Sequence, residues 1–342
     1  LNAAEAASPL LLSGVTSNVE AGRSVTLTLN GITYSATVQA DGSWSVEVPV
    51  ADLDAIADGL QTVQGSVTDA AGNPATASGD ITLITDAASL PVLTVNPVTA
   101  DDVINASEAG AGVTLSGASV NLQPGQPVSV VLNGITYSAT VGAGGSWSVS
   151  IPAADAQALA QGSVPFTVSS ADIAGNPAQL NDSLTVDTEV TLTVSPVAGD
   201  DIINAAEAGA GVVVSGTANP ADAGLTVTIV LNGVIYSAAV QADGTWSTTL
   251  PAANLAALAD GAYTLNAILT DAAGNSTTVP RSVTLDAAAA TLPTLTIAPL
   301  SGDGYLNAAE AASPLLLSGV TSNVEAGRSV TLTLNGITYS AT

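Results

Sequence analysis

Along Ser24–Leu29 the apolar Val25, Leu27 and Leu29 alternate with Thr26 and Thr28. After Asn30-Gly31 the alternation resumes, with Ile32, Tyr34, Ala36 and Val38 set against Thr33, Ser35 and Thr37. Successive side chains on a strand point to opposite faces, so a period of two predicts antiparallel strands with one buried and one wet face. Asn-Gly suits a two-residue turn with positive φ at both positions, which predicts a hairpin. A second turn, "ADG" at 40–42, leads to Trp44, Val46 and Val48 on the same apolar parity.

The pattern returns. Hairpins stand at 24–38, 128–141 and 227–240, followed by "SWSVEVP" (43–49), "SWSVSIP" (146–152) and "TWSTTLP" (245–251). A short segment such as "ADLDAIADG" (51–59) or "ANLAALADG" (253–261) predicts one helical turn ending at glycine. Two closing strands flank "DAAGN" or "DIAGN" at 69–73, 172–176 and 271–275. A further strand, "PVLTVNPV" (91–98), "VTLTVSPV" (190–197) or "PTLTIAPL" (293–300), leads into an acidic motif. That motif reads "LNAAEAA" at 1, "DDVINASEAG" at 101, "DDIINAAEAG" at 200 and "LNAAEAA" at 306, and residues 306–342 repeat residues 1–37 letter for letter. Such identity predicts a recently duplicated tandem array of which this chain is a window.

Seven strands per repeat of about a hundred residues predict an all-β chain of tandem immunoglobulin-like, seven-stranded antiparallel β-sandwiches in a head-to-tail rod. The expected domains are 1–89, lacking its first strand, then 90–187, 188–289, and 290–342, the first half of a further repeat. The single tryptophan of each full repeat (Trp44, Trp147, Trp246) is read as the large core residue between the sheets. Stacking on a carbohydrate is the alternative.

Composition narrows the chemistry. Against 29 Asp and Glu stand 3 Lys and Arg, a formal charge of −26, and there is no Cys, His or Met. Nucleic-acid binding by phosphate neutralisation and attraction to an anionic membrane are therefore not expected. Thiol and imidazole chemistry and the usual zinc or copper sites are excluded. Lysine is absent, which excludes isopeptide and Schiff-base chemistry. A metal here would be a hard cation held by oxygens, calcium or magnesium. No apolar run approaches the roughly 20 residues of a spanning helix.

Strand direction sorts the acids. The acidic motif and the exit of the last strand (Asp86, Asp187, Asp286) belong at one end of a repeat. The "ADG" turn (Asp41, Asp243) and the "DAAGN" loop (Asp69, Asn73; Asp172, Asn176; Asp271, Asn275) belong at the other. Head-to-tail stacking would face Asp101, Asp102, Asn105, Glu108 and Asp187 of the second repeat toward Asp243, Asp271 and Asn275 of the third. Unneutralised carboxylates at such a joint would repel, and a bridging Ca2+ would turn repulsion into a link. By repetition the expected ligand set extends to Glu5, Asp200, Asp201, Asn204, Glu207, Asp303 and Glu310. A metal-free alternative stands beside it. Asn105 with Glu108, Asn204 with Glu207 and Asn2 with Glu5 fit helix capping boxes, and "DAAGN" is good turn chemistry. Capping leaves the paired Asp101 and Asp102 unexplained. No enzyme is expected, because a catalytic pair has no reason to recur in every repeat.

The combination of "NAAEA", "VTLSG", "VTLTLNGITYSATVQADGSWSV", "ANLAALADG" and "TDAAGN" resembles the bacterial immunoglobulin-like extender repeats of giant biofilm-associated and repeats-in-toxin adhesins. The resemblance spans the chain. It implies an extracellular, cell-surface stalk whose partners are its neighbouring repeats and Ca2+, with ligand-binding regions elsewhere in the protein. Two departures stand out: "AGG" at 143–145 where other repeats carry Asp41 and Asp243, and a single Asp303 where the second and third repeats have two. The competing readings are a self-assembling extracellular filament or sheath, and a module binding a glycan or host protein.

Overall fold

The computed structural model describes residues 1–288 and 291–342, so the boundary expected at 289/290 lies outside the described residues. The chain divides into two compact units, Leu1–Glu189 and Val190–Thr342.

The second repeat has the fullest pairing. Its three-stranded sheet runs in the order Ser146–Ile151, Val113–Val120, Val92–Val95. The facing five-stranded sheet runs Ile135–Thr140, Pro127–Leu132, Gly162–Ala171, Pro177–Val186, Val103–Ile104. All pairings are antiparallel except the last. Alternation decides burial, as the sequence predicts: Val128, Val130 and Leu132 are buried with Trp147, Leu115, Phe166 and Val168 in one core. The acidic motif, expected as a loop, contributes the two-residue strand Val103–Ile104, which pairs in parallel with the exit strand. Ile104 is fully buried there, so an apolar residue inside the motif fixes the crossing from one sheet to the other.

The tryptophans explain a glycine in each repeat. Trp147 stands opposite Gly117 across the strand pair. A Cβ on Gly117 would lie 1.8 Å from the Thr94 carbonyl oxygen and 2.6 Å from the indole. Gly216 is enclosed in the same way by Thr193 and Trp246. Only a residue without a side chain lets the Thr94 or Thr193 backbone and the indole approach this closely.

The first repeat pairs Ile32–Thr37, Ser24–Leu29, Gly59–Thr68 and Pro74–Leu83 in one sheet, and Leu10–Val15 with Ser43–Val48 in the other. In the third, Ile202–Asn204, Ser276–Asp286, Gly261–Thr270, Thr226–Leu231 and Val234–Ala239 form one sheet, and Val212–Thr217 pairs with Thr245–Leu250. In the last segment Thr294–Ile297 pairs with Gly319–Ser322, and Val330–Leu334 with Ile337–Ala341. Among the described residues no helix is long and apolar enough to cross a membrane.

Candidate functional site

The acidic motifs fold as capped turns. Asn105 Oδ1 accepts the Glu108 N–H at 3.0 Å, and Glu108 returns a carboxylate to the Asn105 N–H at 3.0 Å. Asn2 with Glu5 and Asn204 with Glu207 close equivalent boxes. In the last segment Glu310 accepts the Asn307 N–H, and Asp303 accepts the Tyr305 N–H and bonds the Ser301 hydroxyl. These boxes satisfy N–H groups at helix starts that have no partner inside the helix.

The paired aspartates, which capping leaves unexplained, have local hydrogen-bond partners too. Asp102 and Asp201 sit in the left-handed region, at φ 61° and 67°. Each turns a carboxylate back onto the N–H four residues earlier, Val98 at 3.0 Å and Val197 at 2.9 Å. Asp101 accepts the Val103 N–H and the Thr99 hydroxyl, bonds that hold its carboxyl below the usual carboxylate range. Asp200 accepts the Ile202 N–H. In the third repeat Arg281 clamps Asp201 with two N–H groups and depresses its pKa. The second repeat carries Asp182 at the position matching Arg281, and Asp102 and Asp182 line one small surface cavity. Asp41 and Asp243 each cap their own hairpin through the N–H and hydroxyl of Ser43 or Thr245.

The "DAAGN" loops are closed by Asp and Asn across four residues. Asp172 Oδ1 accepts the N–H groups of Ala174 and Asn176, both at 2.9 Å, and Oδ2 accepts the Asn176 amide at 2.7 Å. Asp69 with Asn73 and Asp271 with Asn275 make the corresponding bonds. Their burial differs. Asp172 and Asn176 are 5% and 2% exposed, and Asp271 and Asn275 are also buried, whereas the Asp69–Asn73 loop lies at the surface.

The first unit shows what covers Asn176. Its Oδ1 accepts the Ala3 N–H at 2.9 Å, and its Nδ2 donates to the Ile84 carbonyl at 2.9 Å. Asn2 Nδ2 donates to the Ala174 carbonyl at 3.2 Å. The loop of the second repeat is thereby bolted to the acidic motif and exit strand of the first, since Asn2 and Ile84 are themselves bridged in parallel.

Sequence reasoning overlooked the acid at the end of the helical turn. Asp58 accepts the Thr85 and Asp86 N–H groups. Asp260 accepts those of Ala287 and Ala288 together with the Thr291 hydroxyl. In the second repeat Gln161 accepts the Thr188 N–H instead. These side chains anchor the exit of each repeat beside Asp86, Asp187 and Asp286; the recurring "ADG" of 57–59 and 259–261 was the available signal.

Calcium was the expected ligand, and at the first junction part of the expected ligand set is already hydrogen-bonded. Calcium takes about six to eight oxygens. At that junction Asp172 is committed to three N–H bonds, and Asn176 and Asn2 are spent on backbone partners. Among the described residues no group of three or more Asp, Glu, His or Cys side chains is placed to hold a metal ion.

A family model for the bacterial Ig-like domain matches residues 12–86, 117–188 and 197–287. The chain is 39% identical to a Ca2+-stabilized adhesin that helps an Antarctic bacterium reach out and bind ice, covering 99% of this chain and 84% of that one, at a TM-score of 0.41. It is 38% identical to a structure bearing on host cell surface retention of a 1.5-MDa bacterial ice-binding adhesin, covering 84% and 94%, at a TM-score of 0.43. It is also 38% identical to a bacterial immunoglobulin-like domain of the M. primoryensis ice-binding adhesin, which covers 29% of this chain and 96% of that one, at a TM-score of 0.24. No curated protein matches the chain.

Proposed function

The chain belongs to the bacterial Ig-like domain family, and from that premise we propose that it is an extender segment of a large adhesin on a bacterial cell surface, projecting binding regions carried elsewhere in the protein. The observation that carries this reading is the bolt between the first and second repeats. An asparagine in a loop that recurs in every full repeat reaches across the junction to two backbone groups. A spacer requires such a link, because freely jointed domains coil and lose reach. The role in this reading is mechanical: the recurring acids cap turns and anchor chain exits.

Calcium enters the reading away from that bolt. Among the described residues the carboxylates of Asp101, Asp102 and Asp200 make local bonds and form no ion pair with an arginine, unlike Asp201. The excess of 29 acids over 3 cations favours cation uptake, and a relative of 39% identity is a Ca2+-stabilized adhesin. Stiffening by calcium at these acids would add to the metal-free bolt.

Small-angle scattering of the 342-residue chain with calcium and with EGTA tests the reading. The wild type is expected to keep an extended profile in calcium and lose part of its maximum dimension in EGTA. Asn176→Ala should shorten it in both conditions. A wild type that scatters as a flexible coil of beads in calcium would overturn the spacer role. A profile indifferent to EGTA, with no heat of calcium binding, would remove calcium and leave the bolt.

A further inference from the structure

The segment joining the first two repeats, residues 86–91, leaves Asp86, Ala87 and Ala88 exposed. Domains joined by such a segment move relative to one another unless something fixes it. Here a side chain from each flanking repeat takes hold of its backbone. From the first repeat, Asp58 accepts the N–H groups of Thr85 and Asp86 together with the Thr85 hydroxyl. From the second, Asn121 donates its side-chain amide to the Ala88 carbonyl at 2.7 Å and to the Leu90 carbonyl at 3.0 Å. An amide nitrogen carries two hydrogens, so both bonds are made at once.

Asn121 is held firmly enough to act as a donor at a fixed place. It directly follows the strand Val113–Val120 and takes the left-handed backbone, φ 63°, which asparagine tolerates. The next residue, Leu122, is buried in the core of the second repeat. At the far end of the linker Pro91 is buried, and a proline keeps the residue before it, Leu90, in extended backbone.

The same pair of side chains recurs where the linker is long. Residues 87–90 stand between Asp86 and Pro91, and residues 287–292 between Asp286 and Pro293. At that later link Asp260 accepts the Ala287 and Ala288 N–H groups and the Thr291 hydroxyl. Asn323, at φ 57°, donates to the Leu292 carbonyl at 3.1 Å. Between Asp187 and Val190 stand only Thr188 and Glu189, and the positions matching Asp58 and Asn121 hold Gln161 and Pro220. Linker length and the asparagine change together.

We propose that Asn121 is a positioning residue of the first joint: with Asp58 it clamps a long linker from both sides and fixes the direction from one repeat to the next. The proposal rests on the extender reading. It adds a second restraint to the Asn176 bolt, whose partners Ala3 and Ile84 lie outside the segment that Asn121 holds. A longer linker has more conformations to lose, and the clamp removes them from the folded chain.

The test uses the 342-residue chain, which has no cysteine, so Ser66→Cys and Ser163→Cys place one nitroxide on an exposed site of each repeat. Asn121→Gly keeps the left-handed turn and removes the amide; Asn121→Asp keeps the shape but, as a carboxylate, cannot donate. The Ser89 N–H bonds the Asp86 carbonyl within the linker, and both variants are expected to speed its exchange by about fivefold or more. Both should also broaden the distance distribution between the nitroxides, with Trp147 emission unchanged as the sign of an intact second repeat. Unchanged Ser89 exchange in Asn121→Gly would overturn the clamp and reduce Asn121 to a turn residue. Wild-type behaviour of Asn121→Asp would overturn amide donation as its basis. Faster exchange without broadening would overturn the hold on direction and leave the bolt as the restraint. A wild-type distribution that is already broad would instead overturn the extender reading on which the proposal rests.

Discussion

Residues 1–37 and 306–342 are the same 37 letters in two structures. In the first copy Leu10–Val15 is a strand and Ala3–Ala6 a capped helical turn. In the second, strand begins only at Gly319 and the capping motif leads into turns. Tyr34 is 8% exposed and Tyr339 45%. The hairpin is common to both, Val25 opposite Ala36 in one and Val330 opposite Ala341 in the other. The difference lies in partners. Ser43–Val48 and Gly59–Thr68 pair with the first copy, whereas among the described residues Val330–Leu334 and Ile337–Ala341 pair only with each other. Turn chemistry is local and travels with the letters; a strand with a buried face exists only where something covers it.

The sharpest challenge to this comparison is to supply the missing cover. Grafting residues 38–89 after Thr342 should convert Leu315–Val320 to strand and bury Tyr339. It should also add a cooperative unfolding transition of about 5 kcal/mol or more, the scale of a small folded domain. Hydrogen exchange at Leu315–Leu317 and calorimetry would check it; unchanged exchange would mean that identity of sequence does not bring identity of fold even with partners present.

A smaller effect separates the copies within the chain as it stands. Leu27 is buried under the facing sheet, so Leu27→Ala should destabilise the first repeat by about 2–5 kcal/mol, while Leu332→Ala should cost under about 1 kcal/mol. Urea unfolding of the two variants reads the difference.

The smallest effect concerns a tyrosine. Tyr34 donates to Asp52 at 2.9 Å and Tyr137 to Asp155 at 2.8 Å; burial first, then the aspartate, pushes both hydroxyls up to about 12. A folded pKa above the unfolded value of about 10 favours the protonated fold. That contribution is complete below about pH 10 and lost as pH rises through 12. Tyr34→Phe should cost about 1 kcal/mol at neutral pH, the net worth of one hydrogen bond, and flatten the alkaline loss of stability of the first repeat. Tyr339→Phe should leave stability unchanged. Thermal melts between pH 8 and 12 would check both.

Much of the fold was legible in particular residues. The parity of Val25, Leu27 and Leu29 gave their burial, and each Asn-Gly marked a hairpin whose asparagine does take positive φ. The capping boxes at Asn105 and Asn204 were readable from spacing alone. The site was less legible. That Asn176 would spend its amide on Ala3 and Ile84 required knowing which loop reaches which end. That Arg281 would meet Asp201 required the register of strands 80 residues apart. The acids looked like free ligands because spacing reveals carboxylates, whereas their N–H partners come from backbone that any sequence carries.

By itself the sequence determined what depends on near neighbours: the alternation that selects strands, the turns that need Asn and Gly, the caps, and the charge that rules out whole classes of chemistry. The tertiary structure alone decided which strand edges are covered and which aspartate meets an arginine. It alone decided which of the three equivalent loops of Asp69, Asp172 and Asp271 lies at the surface. The physical reason is range. Backbone preference and side-chain parity act within a few residues, but burial and pairing depend on partners brought together by the fold, and identical letters with different partners become different structures.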